Sequence, residues 1–431
     1  MIRRQRILCS KKIRIGSLLM ENDVASIKRT RNGYLFVSAA ALLVYGLVYA
    51  WSIFATPLSA DFGWDGGALQ TTFNIALICF CLAQLGASFV IKGIGYSKTL
   101  LMAGAIALAG FLVSAFFADK SIWGIYVGYG VLCGAGCGMA YITILSMVNS
   151  WFADKIGFSS GILMMGFGFG SLILGTPAAT LIDQFGLRQV FVAIAVIAMI
   201  VSLGLAFFLK PAPENIGQFV KAPGGESVNE STFEDDKPWT VPSYFVYYAW
   251  ALLIISIGVT LIGGSRQGAV AVGIEGMFSA MIVGLVSTMN GLARPLFGTL
   301  FDKAGLRAVL LSSTALNLLA SALLAFSFST STGITYIIAA LLVGLGYGAI
   351  PVIASGYMRQ RFGAKNYARN LGLTNISAAV ASFLAIGLVA LVSPDGTSAN
   401  ASVWICFSVV AAAATVFGVV FCLMYKRESH R

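Results

Sequence analysis

Charge is scarce in this sequence, because Asp, Glu, Lys and Arg together make up only 10% of its 431 residues. Soluble domains carry about 25% charged residues, whereas hydrophobic residues here reach 58%. These proportions exclude an ordinary soluble protein and predict an integral membrane protein embedded in the lipid bilayer. The net charge of +11 would indicate a nucleic-acid partner in a soluble protein. In a membrane protein it reports topology, so no nucleic-acid partner is expected.

The sequence also lacks the groups that a membrane enzyme needs inside its apolar segments. Its single histidine is His430, and all seventeen acids lie in loops, tails or the ends of apolar segments. The seven cysteines follow neither a disulfide framework nor a metal-binding pattern. Cys133 and Cys137 share a helix face with no acid or histidine nearby, which favours a packing role. We therefore expect no enzyme activity, no metal and no cofactor.

Long apolar segments are abundant, and each can cross a hydrocarbon core about 30 Å thick, which needs about 20 residues. Twelve segments are predicted near residues 33–57, 68–91, 99–118, 122–150, 158–182, 188–209, 242–264, 274–300, 308–329, 333–358, 369–393 and 400–425. The predicted fold is an all-α integral membrane protein with twelve transmembrane helices.

The two halves of the chain repeat each other at an offset near 210 residues. Lys92 and Gly95 after the second segment correspond to Asp302 and Gly305 after the eighth. Two six-helix pseudo-repeats are typical of secondary transporters, whose substrate site lies between the halves near the midplane. The predicted organisation is a basic cytoplasmic segment (1–32), an N-terminal six-helix bundle (33–209), a cytoplasmic linker (210–241), a C-terminal six-helix bundle (242–425) and a cytoplasmic tail (426–431).

Basic residues are distributed unequally between the two sides of the predicted membrane. Only Lys120, Arg188 and Arg266 lie on one side, Arg294 lies within a span, and the rest of the 28 basic residues lie on the other side. By the positive-inside rule this basic side is cytoplasmic, which places both termini on the cytoplasmic side of the membrane. The stretch from Met20 resembles a natural start, so residues 1–19 are expected to be an extension, which N-terminal peptide mass tests.

Arg294 is the basic residue that we place well inside a span. Asp302, which opens a polar turn, follows eight residues later. That length of helix covers about 12 Å, and half of the hydrocarbon core is about 15 Å. A guanidinium near mid-membrane is costly and is usually functional. With no acid in the spans, an anionic substrate is the expected counter-ion; the alternative is a structural arginine satisfied by helix carbonyls or by a partner on another helix.

Two kinds of sequence motif carry a resemblance to known families. The stretch Gly298–Arg307 resembles the cytoplasmic-turn signature G-x-x-x-D-x-x-G-x-[RK] of the major facilitator superfamily. In the first-half copy, residues 88–96, Lys92 stands where the acid is expected. The stretches 46–52, 141–161 and 290–295 are similar to the oxalate/formate antiporter family, bacterial relatives of the monocarboxylate porters.

The resemblance implies an organic-anion carrier that works by alternating access. The family's substrate-binding arginine falls on Arg294, and its aromatic residues of segments one and four fall on Tyr49 and Tyr141. The lysine of the dicarboxylate exchanger would fall on Ala378 or its neighbour, yet no lysine lies within 370–425. We therefore expect a small monocarboxylate anion such as formate or lactate as the substrate, and oxalate less.

Three further side chains are candidates for the substrate site. Asn290 lies one helical turn from Arg294, where the resembling proton symporters carry an acid. Gln84 is the repeat counterpart of Arg294, and Tyr347 follows a glycine-rich stretch. For each of them, and for Tyr49 and Tyr141, packing or an interhelical hydrogen bond is the alternative. Because Asn290 cannot carry a proton, exchange or facilitated flux is favoured over proton symport, unless the substrate itself supplies the proton.

Gating residues are expected at the cytoplasmic ends of the helices. The residues proposed to latch these ends are Gly298, Asp302, Gly305, Arg307, Asp154 and Lys155. A channel would need pore rings from oligomeric repeats, so we expect a carrier that acts as a monomer. Two alternatives stay open, a proton-coupled monocarboxylate symporter and a non-transporting sensor on a carrier fold.

Overall fold

A computed structural model describes residues 26–64, 66–213, 216, 237–274, 276–393 and 397–428. Three sequence predictions lie outside these described residues. They are the extension before Met20, most of the linker over 210–241 and the side chain of Tyr49, whose backbone alone is described.

The first half of the described chain forms six helices of membrane length. Helix α1 covers residues 26–62 and contains a 3₁₀ turn, Leu47–Ala50, between a helix over 26–46 and the helix Trp51–Phe62. The following helices are α2 (Gly66–Ile94), α3 (Tyr96–Phe117), α4 (Ile122–Asn149), α5 (Ile156–Phe185) and α6 (Leu187–Phe208). Residues Tyr126–Cys133 within α4 form a π-helical stretch.

The second half repeats this arrangement. Its helices are α7 (Pro242–Ala271), α8 and α9 (together Gly276–Thr330), α10 (Gly333–Phe362), α11 (Tyr367–Val392) and α12 (Ala401–Glu428). Ten helices among the described residues are long and apolar enough to cross a membrane. One of these ten contains both α8 and α9, and α1 is additional, so the described chain has the twelve spans that the sequence predicts.

The turns after α2 and α8 show the internal repeat in the backbone. Gly95 has φ 81° and ψ 170°, and Gly305 has φ 78° and ψ 176°. This region of backbone space is open to glycine and strained for residues with a Cβ. Both glycines end one helix and begin the next, and 210 residues separate them. The same sharp turn therefore occurs at equivalent places in both halves.

The two halves meet along two pairs of antiparallel helices, which we call the α2–α11 seam and the α5–α8 seam. In the α5–α8 seam, Gly157 and Gly298 approach so closely that a Cβ on either would overlap the other's carbonyl oxygen. In the α2–α11 seam, a Cβ on Gly372 would lie 2.8 Å from the Leu85 backbone nitrogen. Small residues allow such backbone approach in membranes, where close packing stabilises helix contacts.

Both seams are closed at the end of the molecule where the Lys92 and Asp302 turns lie, which we call the basic end. There Lys92 Nζ donates to Asn366 Oδ1 at 2.6 Å across the α2–α11 seam. Across the α5–α8 seam, Asp302 accepts hydrogen bonds from the first turn of α5. The candidate site lies further along the same two seams.

Candidate functional site

Arg294 lies in α8 and reaches across the α5–α8 seam into the other half. Its Nη1 donates to the carbonyl oxygen of Met164 on α5, while its Nε is buried without a hydrogen-bond partner among the described residues. Gly168 makes room for the guanidinium, because a Cβ there would lie 2.8 Å from Nη1 and 3.2 Å from Cζ. Within the described part of the chain no carboxylate pairs with Arg294. A carbonyl therefore orients the guanidinium while its charge stays unneutralised.

An aromatic cluster lies beside this guanidinium in the first half. It consists of the rings of Tyr141 on α4, Phe80 on α2 and Phe167 on α5. The ring centroids are 5.6 Å apart for Phe80 and Tyr141, 5.4 Å for Phe80 and Phe167, and 4.9 Å for Tyr141 and Phe167. Tyr141 is buried, and its hydroxyl interacts electrostatically with Arg294. The cluster supplies an apolar wall with one hydroxyl next to the cation, which suits a small carboxylate with an aliphatic body.

Tyr347 on α10 approaches the same cation from the second half. Its hydroxyl interacts electrostatically with Arg294 and with Cys81 on α2. Tyr141 also interacts with both Arg294 and Cys81. A Cβ on Gly258 of α7 would lie 2.6 Å from Cγ of the Tyr347 ring, so the glycine admits this ring. The two tyrosine hydroxyls therefore lie near both Arg294 and α2, and together they define a common centre between the halves.

Gln84 borders this centre on α2 and bonds across the other seam. Its Oε1 accepts a hydrogen bond of 2.7 Å from Asn375 Nδ2 on α11, and Gln84 is only 1% exposed. The sequence prediction included Gln84 and missed Asn375. An amide inside a predicted span was the available signal, but nothing in the sequence showed which way it faces.

Asn290 lies one turn from Arg294 along α8, as expected from its spacing. Its backbone packs against α10, because a Cβ on Gly348 would overlap the Asn290 carbonyl oxygen. Its Oδ1 is buried and has no hydrogen-bond partner among the described residues. Asn290 therefore offers an unsatisfied amide oxygen near Arg294, and its role as a substrate ligand stays a prediction.

Most of the predicted latch residues come together at the basic end. The Asp302 carboxylate accepts from the backbone nitrogens of Gly157 at 2.8 Å and Phe158 at 2.7 Å. These donors lie in the first turn of α5, where a negative charge is favourable. Asp154 and Lys155 interact electrostatically with Asp302, and Gly298 packs on Gly157 one turn away. An acid of the second half thus caps a helix of the first half.

Two of the predicted gating residues, Asp154 and Arg307, also have partners within their own halves. Asp154 forms a 2.7 Å ion pair with Arg31 of α1, a residue that the sequence prediction assigned to the basic N-terminal segment. Arg307 interacts with Cys422 and Tyr425 of α12. The structure therefore places Arg307 beside α12, and its gating role stays a prediction.

A buried polar network that the sequence did not reveal also joins the halves at the basic end. Asn149 Nδ2 donates to Ser160 Oγ at 2.7 Å and to Tyr367 Oη at 3.0 Å. Ser355 Oγ lies 2.6 Å from Ser160 Oγ and 2.7 Å from Tyr367 Oη. Since Asn149 and Ser160 belong to the first half and the other two residues to the second, separation of the halves breaks this network.

The Tyr367→Phe variant is expected to loosen the closed basic end. Removal of one hydroxyl from a buried network typically costs about 1–3 kcal/mol when its partners stay unsatisfied. We expect faster labelling of Cys81, which is 3% exposed in the α2–α11 seam, by an impermeant maleimide added at the basic end. Tyr336→Phe is the matched control, because Tyr336 bonds Ser265 within one half. Equal labelling in both variants would contradict a role of the network in closure.

Comparisons with known proteins agree with this architecture. The profile of the Major Facilitator Superfamily matches residues 36–386. The oxalate:formate antiporter of Oxalobacter formigenes is 25% identical over 373 residues, which are 84% of this chain and 86% of that protein. Monocarboxylate transporter 11 of Homo sapiens is 28% identical over 171 residues, 38% of this chain and 35% of that protein.

A solved structure shows the same fold at low sequence identity. It is a proton:xylose symporter of the major facilitator superfamily with bound 6-bromo-6-deoxy-D-glucose, and it is 14% identical to this chain. The TM-score is 0.71, and the match covers 90% of this chain and 95% of the symporter. This likeness confirms the predicted fold of twelve helices in two six-helix pseudo-repeats.

Proposed function

Because the chain belongs to the major facilitator superfamily, we propose that it carries a small organic anion across the membrane by alternating access. The matching relatives and folds are transporters, so the chain is a multi-pass membrane transporter and not an enzyme, as the sequence predicts. The proposal concerns the substrate, the mode of transport and the residues that bind.

The observation that carries the proposal is the unneutralised Arg294 between the halves. Its Nη1 donates to a backbone carbonyl across the seam, and its Nε lacks a hydrogen-bond partner among the described residues. A planar guanidinium binds a carboxylate through two parallel hydrogen bonds and stays charged at any physiological pH. A carboxylate bound there would neutralise the cation and displace the cross-seam contact with Met164.

A monocarboxylate such as formate or lactate fits the charge of this centre better than oxalate. Arg294 supplies one positive charge, and the equivalent place in the other seam holds the neutral Gln84–Asn375 pair. A second carboxylate there would be buried without a counter-ion, which is costly. The similarity to the oxalate:formate antiporter of Oxalobacter formigenes supports a carboxylate substrate. The proposed ligands are Arg294, Asn290, Tyr49, Tyr141, Gln84 and Tyr347.

Exchange or facilitated flux is the proposed mode of transport. Within the described spans, the acids lie near helix ends, as Asp183 and Asp302 do. Proton symport through a protein side chain normally uses a titrating group inside the bundle. The neutral Asn290 next to Arg294 offers no such group.

The proposed orientation follows the charge distribution. The basic end, with the Lys92 and Asp302 turns, faces the cytoplasm by the positive-inside rule. The protein then lies in the bacterial inner membrane with both termini cytoplasmic. In this orientation the closed basic end corresponds to the outward-facing state of the transport cycle. We also propose that the functional unit is the monomer.

Reconstituted uptake tests this function. Proteoliposomes are given radiolabelled formate, lactate, pyruvate or oxalate, with and without the same anion inside and with and without an inward proton gradient. We expect uptake of a monocarboxylate that is accelerated several-fold by internal anion and is unchanged by the gradient. Uptake that follows the proton gradient would replace the exchange mode by symport. Absence of uptake for every carboxylate would contradict the proposed substrate class.

A further inference from the structure

The contacts of Arg294 and of Gln84 are equivalent under the internal repeat. Arg294 and Gln84 are 210 residues apart, and their partners Met164 and Asn375 are 211 apart. Each pair joins the first half to the second across one seam. The glycines beside them also correspond, because Gly161 packs on the Arg294 backbone and Gly372 on that of Gln84. The two pairs therefore occupy matching places on either side of the molecular centre.

The chemistry of the two pairs differs. The α5–α8 seam presents a cation against a backbone carbonyl. The α2–α11 seam presents two side-chain amides that bond each other at 2.7 Å. An amide side chain offers two donor hydrogens and one acceptor oxygen, so the single bond between them uses only part of their capacity. This side of the centre can therefore bind a neutral oxygen and does not compensate a second negative charge.

The amide pair borders the same centre as Arg294. The Tyr141 ring packs on Phe80 of α2 with centroids 5.6 Å apart, and Phe80 lies about one turn from Gln84. Tyr141 and Tyr347 also each interact electrostatically with both Arg294 and Cys81. Cys81 lies about one turn from Gln84 on α2, and its thiol interacts with the backbone of Ala379, which lies one turn from Asn375 on α11. The two tyrosines thus connect the cation to the part of the α2–α11 seam that holds the amides.

We propose that Gln84 and Asn375 form the second substrate contact and select monocarboxylates with a hydroxyl or carbonyl oxygen next to the carboxylate. This inference rests on the proposed function, because it assumes that Arg294 binds the carboxylate. The substrate oxygen competes with the hydrogen bond between the two amides. Binding therefore weakens the α2–α11 seam while the substrate carboxylate binds Arg294 on α8. The substrate class is then 2-hydroxy or 2-oxo monocarboxylates, in preference to unsubstituted acids and dicarboxylates.

The burial of Gln84 and the partial burial of Asn375 make the expected discrimination strong. A site built to hydrogen-bond a substrate oxygen rejects an analogue that lacks it, because the polar groups of the site are then left unpaired. A dicarboxylate is rejected for the opposite reason, since its second charge would be buried against neutral groups. Both preferences originate in the side chains of Gln84 and Asn375. Substitutions of these residues should therefore change the selectivity between acids more than the maximal rate of transport.

Lactate and propionate test the proposal, because they differ by a single hydroxyl group. In proteoliposomes the wild type should show a KM for lactate at least about tenfold below that for propionate. Asn375→Leu and Gln84→Met should raise the lactate KM toward the propionate value, so that the ratio of the two KM values falls toward one. The double variant with Gln84→Asn and Asn375→Gln keeps both amides and should restore part of the preference.

Asn375→Lys supplies a second, independent readout. A cation at this place should let the dicarboxylate malonate compete with labelled lactate, whereas malonate should not compete in the wild type. A purely structural role predicts instead that every variant loses lactate and propionate transport equally. That result, or equal wild-type KM values for the two acids, would overturn the inference and leave the proposed function intact. Transport of formate alone would also overturn the inference and leave the proposed function intact. Transport of no carboxylate would overturn the proposed function itself.

Discussion

The Arg294→Gln protein is expected to lose monocarboxylate uptake almost completely when it is reconstituted at wild-type density. Removing one member of a buried, hydrogen-bonded charge pair costs about 2–5 kcal/mol, which is roughly 30-fold to several thousand-fold in affinity. Glutamine keeps a hydrogen-bond donor but is shorter than arginine, and the bond to the Met164 carbonyl is made by the terminal Nη1, so this contact is lost together with the charge. The loss is measured as the initial rate of labelled lactate uptake over a range of concentrations, and a lysine variant separates the charge from the planar donor fork.

Two variants make this result specific. Arg294→Lys keeps the charge but not the planar fork of donors, so its uptake should lie between those of the wild type and the glutamine variant. Arg188→Gln removes a guanidinium whose side chain is half exposed and pairs with Asp119 in the turn after α3, and its uptake should equal that of the wild type. Normal uptake by Arg294→Gln would mean that the arginine is structural and that the substrate site lies elsewhere.

The Gly298→Val protein is expected to be unable to close its basic end fully. A Cβ at position 298 would overlap the Gly157 carbonyl oxygen, and the obstacle is backbone that cannot rotate away. Overpacking of this kind costs about 1–3 kcal/mol, so the closed state should lose roughly 5- to 150-fold in population. Cys81 lies 3% exposed in the α2–α11 seam, and its labelling by an impermeant maleimide at the basic end should rise accordingly.

The matched control lies on the same helix. Nothing lies within 4 Å of a Cβ placed on Gly284 of α8, so Gly284→Val should label like the wild type. The Cys81→Ala background identifies the labelled thiol, because Cys79, Cys406 and Cys422 are partly exposed and could also react. Exchange should be slowed in Gly298→Val, since the cycle passes through the closed basic end. Unchanged labelling together with normal exchange would contradict the seam as the gate.

The fold could be predicted from the sequence because the membrane constrains it so strongly. In lipid every backbone polar group must be satisfied within the element, so twelve apolar segments imply twelve helices. The repeat of Gly95 and Gly305 and the Gly298–Arg307 motif then identified the superfamily, which the comparisons confirm. The central position of Arg294 followed from a helix rise and a bilayer thickness, which are general constants.

The residues of the centre were harder to predict, because they depend on which helices face each other. Asn375 was missed since its importance comes from Gln84, 291 residues earlier in the chain. The network around Tyr367 was missed for the same reason. Conversely, Arg307 carries the sequence motif of a latch, yet it lies beside α12. A local motif shows which residue types occur together and does not show what surrounds them.

The sequence by itself determined the membrane character, the twelve helices, the two-fold repeat and the presence of one cation near mid-membrane. These properties depend on composition, on segment length and on the cost of burying charge, all of which are local. Only the tertiary structure decided that Arg294 contacts the Met164 carbonyl, that Asp302 caps α5, and that Gln84 pairs with Asn375. Each of these contacts joins helices from different halves, whose relative placement arises from glycine-mediated packing along two seams and cannot be read from either helix alone.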